Sequence, residues 1–177
     1  MQNANQYETV GSATVSHYQS MKFEFLDEDI MALDNCEEFR PYDGPEQGSR
    51  WTLFFDGSSN ALGNGISVVL ISSEGCHTPF TARLFFNCTN NIAEYEACIF
   101  SLRAAMDLGI KSLDVFGDSG LVISQIKGEW DTKQPNLIPY KEHVLTLLPY
   151  FEKITFEHFP REEKSVSRRI SHNAINV

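Results

Sequence analysis

The sequence contains no apolar run of about eighteen residues or more, so no membrane-spanning helix is expected. Its first twenty residues, MQNANQYETVGSATVSHYQS, lack the basic start and apolar stretch of a secretory signal, which predicts a cytoplasmic or nuclear protein that is not secreted. Cysteine is scarce: Cys36, Cys76, Cys88 and Cys98 are scattered with no CxxC pair. That spacing argues against a disulfide framework or a zinc site and predicts reduced thiols. No GxxxxGK[ST] loop occurs, and the chain is too short for a two-lobed ATPase. No internal repeat is visible.

Basic residues are also in the minority, 14 against 24 acids, for a formal net charge of −10. The imbalance is local. Residues 1–49 hold ten acids and two bases, whereas residues 50–177 hold fourteen acids and twelve bases. The second part is therefore close to neutral and can carry local basic patches, so a nucleic-acid partner is not excluded.

A length of 177 residues suffices for one domain with a proper core plus a tail. Residues 1–48 show no sustained strand or helix period. They read as an acidic, disordered arm or linker, with room for a short helix around Glu28–Leu33. The texture changes at Trp51. WTLFFD is a short apolar strand ending in an acid, followed by the turn residues GSSN. GISVVLIS and FTARLFF are two further strands, separated by the turn SEGCHTP.

NNIAEYEACIFSLRAAMDLG carries Ile92, Tyr95, Ile99, Leu102 and Met106 at helical spacing, with Asn90 as the N-cap and Gly109 as the stop. SLDVFGD is a fourth strand, again ending in an acid. SGLVISQIKG is a short helix ended by Gly128, PNLIPYKEHVLTLLPYF gives a helix after Pro139, and KITFEHF is a fifth strand. The order β-β-β-α-β-α-α-β predicts an α/β domain over residues 49–163: a mixed five-stranded sheet flanked by helices. Its first and fourth strands would lie side by side and parallel, and such sheets place ligands at the carboxyl ends of their strands.

Asp56 and Asp118 end those two strands, and Glu94 lies in the first turn of the helix between them. Cutting a phosphodiester bond needs an activated water and a neutralised leaving oxygen. Two Mg²⁺ ions roughly 3.5–4 Å apart supply both when a few carboxylates hold them. Glu94 shares a helix face with Cys98, Ser101 and Ala105, small residues that permit close approach to the sheet. Glu96 shares its face with Phe100, Arg103 and Asp107, which predicts a solvated side and an ion pair with Arg103. Each acid has a plainer alternative: Asp56 as a turn former, Glu94 as a complement to the helix dipole, Asp118 as an N-cap. Their placement on converging elements favours a shared role.

FDGSSN, CTNNIAEYEAC and FGDSGLVISQIKG, in this order and spacing, resemble the three central blocks of type 1 ribonuclease H domains. GSRWTLFFDGSSN, TNNIAEYEACIF, GDSGLVISQIKGEWDT, LIPYKEHVL and ITFEHFPREE are most similar to the domains of plant gypsy-type retrotransposon polyproteins. The resemblance runs over residues 48–163. It implies a ribonuclease H-like fold and endonucleolytic cleavage of the RNA strand of RNA–DNA hybrids, in the parent polyprotein alongside a reverse transcriptase polymerase domain. It implies Asp56, Glu94 and Asp118 as catalytic metal ligands, with the Gly57 backbone beside them, for two Mg²⁺ ions that Mn²⁺ can replace. Gly57, Ser58, Ser59 and Asn60 would meet the RNA strand, Asn90 and Asn91 the minor groove, and Ser119 the backbone. One of the two asparagines has helix capping as its alternative role. Lys127, Trp130 and Lys133 could help to hold the duplex, with a solvated loop as the plainer alternative for the lysines and a packed aromatic for Trp130.

The resemblance breaks at Lys164. The family's fourth acid falls at Arg168, and residues 164–177 form a basic tail in place of the Ala/Leu-rich terminal helix, so that helix is expected to be missing or altered. A frameshift, a mis-spliced exon or a faulty gene model would account for the break. Glu162 or Glu163 could stand in as ligand, and His158 lies in the region suited to a proton shuttle. A four-acid site reduced to three predicts low or absent turnover. The competing reading is a non-catalytic nucleic-acid-binding module or polymerase-associated remnant.

Overall fold

A computed structural model describes residues 45–61 and 63–160, together with the backbone of residues 24 and 25. The elements are β1 (Glu24–Phe25), β2 (Arg50–Asn60), β3 (Gly63–Ile71), β4 (His77–Leu84), α1 (Asn90–Asp107), β5 (Ser112–Gly117), α2 (Gly120–Ile126), α3 (Ile138–Leu147), a 3₁₀ turn (Leu148–Tyr150) and β6 (Lys153–His158). The sheet order is β1-β4-β3-β2-β5-β6. The five expected strands form its body, and two residues of the acidic arm add a short edge strand opposite Ala82 and Arg83. The possible helix at 28–33, the tail positions Glu162, Glu163 and Arg168, and Cys36 lie outside the described residues.

β2 is antiparallel to β3 and parallel to β5, so the first and fourth strands of the sequence reading do run side by side. Strand alternation sorts the side chains. Trp51, Leu53 and Phe55 are buried against the helices, with Val68, Leu70, Leu113 and Val115 beside them. Tyr95, Ile99 and Leu102 of α1 complete this core, joined by Ile123 of α2 and Val144 of α3. The opposite face carries Phe54, stacked on Phe116 at 5.0 Å and met edge-on by Phe159 at 5.5 Å.

Two local expectations are corrected. GSSN is strand rather than turn: Ser58, Ser59 and Asn60 pair with Gly65, Asn64 and Gly63. The glycine-rich partner strand gives these polar residues a ladder that overrides their turn propensity. The cap of α1 is Thr89, whose hydroxyl accepts from the Ile92 N–H at 3.3 Å; Asn90 begins the helix proper. Gly109 does stop that helix. At φ 77° it permits the Ile110 N–H to reach Ala105 O and the Gly109 N–H to reach Met106 O. Gly128 ends α2 by the same pattern.

Cys88 and Cys98 are free thiols, as expected, but Cys76 is disulfide-bonded, against the expectation of reduced cysteines throughout. No helix among the described residues is long and apolar enough to cross a membrane.

Candidate metal and nucleic-acid site

The parallel register of β2 and β5 ends with Phe55 opposite Gly117: Asp118 directly follows β5, whereas Asp56, expected to end its strand, lies within β2, which runs on to Asn60 against β3. Helix α1 brings Glu94 to the same point. It can come so close because residue 57 is glycine: a Cβ there would stand 2.2 Å from the Ala93 carbonyl carbon and 2.4 Å from the Glu94 nitrogen. Cys98, Ser101 and Ala105, the small residues on the Glu94 face, are all buried, as the helix reading requires. One carboxylate oxygen from each of Asp56, Glu94 and Asp118 lies within 4.8 Å of the others. Three acids separated by tens of residues thus form one cluster that could coordinate a metal ion.

The electrostatics match that arrangement. Glu94 is 1% exposed. Burial, the hydrogen bond and charge of Asp118, and the charge of Asp56 push its carboxyl up to about 9; the Gly57 N–H, which donates to it, works the other way. Its Oε2 is buried without a hydrogen-bond partner. An all-oxygen donor set with a free buried oxygen and mutual repulsion suits a hard divalent cation such as Mg²⁺. The same burial raises the thiol pKa of Cys98 behind Glu94.

Glu96 departs from expectation. It is fully buried rather than solvated. After burial, its charge is the next cause that raises the Cys88 thiol, so the loop carrying Cys88 lies near it. Arg103, its expected partner, has a guanidinium nitrogen 2.9 Å from Nε2 of His143 on α3. The helical wheel marked that side as solvent-facing because nothing in the local sequence announces that α3 packs against α1.

The other expected contacts divide. Ser58 and Asn60 are exposed beside Asp56. Ser59 is committed internally: its hydroxyl donates to Cys88 O at 2.7 Å, and its N–H to Asn90 Oδ1 at 3.3 Å. Asn90 therefore ties the start of α1 to β2, while Asn91 is half-buried next to it. The Ser119 hydroxyl caps α2 by accepting from the Val122 N–H. Lys127 pairs with Glu129, Lys133 is exposed, and Trp130 is exposed rather than packed. His158 is exposed at the end of β6, with Nε2 3.1 Å from the Asp118 carbonyl oxygen. Sequence reading passed over Arg83, although the alternation of exposed Thr81 and Arg83 with buried Ala82 and Leu84 signals its outward position.

The described geometry is matched by known proteins. A model of the family described as reverse transcriptase-like matches residues 54–174. Ribonuclease HI of Halobacterium salinarum is 33% identical over 134 residues, which is 75% of this chain and 67% of that protein. A bifunctional protein of Mycobacterium tuberculosis is 34% identical over 89 residues, half of this chain but only 24% of the relative. Among solved structures, RNase H1 of Halobacterium salinarum superimposes with a TM-score of 0.57 at 34% identity, covering 66% of this chain and 89% of that one. LC11-RNase H1, solved in complex with an RNA/DNA hybrid, gives 0.57 at 27% identity over 64% of this chain and 88% of its own. The N-terminal RNase H domain of the mycobacterial protein gives 0.58 at 26% identity, covering 72% and 94%. The chain belongs to the reverse transcriptase-like family and contains an RNase H-like domain related to archaeal and mycobacterial RNase H1.

Proposed function

We propose that this chain cleaves the RNA strand of RNA–DNA hybrids by Mg²⁺-dependent hydrolysis, at a rate lowered by a three-carboxylate site. The observation that carries the proposal is the meeting of Asp56, Glu94 and Asp118 within 4.8 Å where the parallel pairing of β2 and β5 ends. These three residues would hold two Mg²⁺ ions, or Mn²⁺ in their place, with the Gly57 N–H orienting Glu94. When bound, the metal supplies Lewis-acid activation of water and neutralises the leaving oxygen. Ser58, Asn60, Asn91 and Ser119 would touch the nucleic acid directly. Ser59, which donates to both Asn90 and the Cys88 carbonyl, and Asn90 would contribute by fixing the surface that meets the minor groove.

The relationship to a protein solved with an RNA/DNA hybrid supports the substrate class. Similarity of the sequence blocks to plant gypsy-type polyproteins supports a retroelement origin, beside a reverse transcriptase polymerase domain. One observation favours a second reading: Arg168 stands where the family's fourth acid falls. A guanidinium cannot ligate a cation, and a non-catalytic module or polymerase-associated remnant would need no such ligand. Asp118→Asn separates the two. Loss of Mg²⁺-dependent RNA cleavage with hybrid binding retained marks a nuclease; a native chain that binds hybrid without cutting it marks a module.

A further inference from the structure

The sheet face opposite the described helices carries a groove of ≈ 420 Å³ that starts at Asp56 and reaches Arg83. Strand register builds its floor. Asp56 lies opposite Ser67, which lies opposite Thr81; one row further on, Ser58 lies opposite Gly65, which lies opposite Arg83. Residues directly opposite across antiparallel strands share a face, so both rows line one surface. Gly63 and Gly65 add no side chain to it. A Cβ at Gly63 would meet the Arg83 guanidinium at 3.4 Å, so the Arg83 side chain lies back over β3, into the groove.

Ser58, Ser67, Thr81 and Arg83 are exposed, and Asp56 is the one carboxylate among the lining residues. The groove is thus a track of hydroxyl and amide groups running from the acidic cluster to a cation. Among the described residues Arg83 forms no ion pair. With strands about 4.8 Å apart and a rise of about 3.4 Å per residue, the Asp56 and Arg83 backbones are roughly 12 Å apart. Phosphates of one strand recur at about 3.4 Å along a duplex axis, so Arg83 is placed for a phosphate a few nucleotides from one at the acids.

We infer that this groove carries the RNA strand away from the cleavage point, and that Arg83 grips one of its phosphates. The inference rests on the nuclease reading, since that reading puts a phosphate at Asp56. Arg83 is a positioning residue, and the bare floor at Gly63 and Gly65 gives the strand room. The backbone of Glu24 pairs opposite Arg83 at the sheet edge, which makes the acidic arm the rival occupant.

The test is fluorescence anisotropy of a labelled RNA–DNA hybrid with the full chain in Ca²⁺, at several salt concentrations, with a gel to verify intact RNA. Arg83→Ala should weaken binding roughly tenfold, as for one charge-assisted contact. It should also flatten the plot of log affinity against log salt by about 0.9. Arg83→Lys should keep the native slope. Gly65→Leu should weaken binding at an unchanged melting temperature, because a Cβ at Gly65 makes only an ordinary 3.5 Å contact with Ala82 O. Native affinity and slope in Arg83→Ala overturn the inference while leaving the nuclease reading intact; if that variant also melts lower, the partner of Arg83 lies within the chain. A native chain with no affinity for the hybrid overturns both.

Discussion

The Gly57 N–H donates to the Glu94 carboxylate, and the absent side chain of Gly57 is what lets the backbone of α1 come near enough for that carboxylate to accept it. One residue therefore serves both the packing of α1 on β2 and the aim of an acid. Gly57→Ala must drive a methyl group into the Ala93–Glu94 peptide at 2.2 Å. The expected cost is about 1–3 kcal/mol, by analogy with overpacked cores. Urea unfolding would measure it, and a loss within a few tenths of a kcal/mol would mean that the helix yields without strain.

The raised pKa of Glu94 makes the metal-free stability depend on pH. Its folded value of about 9 exceeds the ordinary 4.5, so between those values the folded chain keeps a proton that the unfolded chain has released. Stability from this group is fully present below the lower value and is lost as pH rises towards the upper one. In chelator, the melting temperature should fall across that window. Mg²⁺ should raise it, most at high pH, where the cation need not displace a proton. Glu94→Gln should flatten the pH dependence and remove the Mg²⁺ effect; a Mg²⁺ response equal to the native one would contradict the assignment of Glu94.

Glu96 provides the contrasting case. It is as buried as Glu94 but does not belong to the three-acid cluster. Glu96→Gln should therefore retain the native melting-temperature gain on adding Mg²⁺. A variant that loses that gain would show the metal site to be wider than the three acids.

Tyr95 and Gln125 share a buried hydrogen bond of 2.8 Å between α1 and α2. Tyr95→Phe leaves the Gln125 oxygen without that donor, at an expected cost of about 1–3 kcal/mol. Equilibrium denaturation would detect it. Unchanged stability would imply that water replaces the phenol.

How much was legible in the sequence differs by element. Helix α1 is readable to its last turn because Ile92 to Met106 repeat at helical spacing and Gly109 stops it. The acid pair Asp56 and Asp118 is readable because each follows an apolar strand run and the β-β-β-α-β order sets those strands side by side, although β2 continues past Asp56 to Asn60 and only Asp118 closes its strand. GSSN misleads, since Ser and Asn favour turns locally and only the pairing with Gly63 to Gly65 makes them strand. Thr89 and Asn90 are both good caps, and the tie from Ser59 to Asn90 decides between them. Burial of Glu96 depends on elements distant in the chain, so no window of its own helix contains the information.

The most direct measurement is cleavage of a hybrid, labelled separately on its RNA and DNA strands, by the full chain in Mg²⁺. Expected is slow internal cutting of the RNA strand alone, well below the rate of the halobacterial ribonuclease HI, and its loss in Asp118→Asn. Cutting that survives Asp118→Asn unchanged, or that proceeds at the rate of the halobacterial enzyme, would contradict a reaction run by three carboxylates.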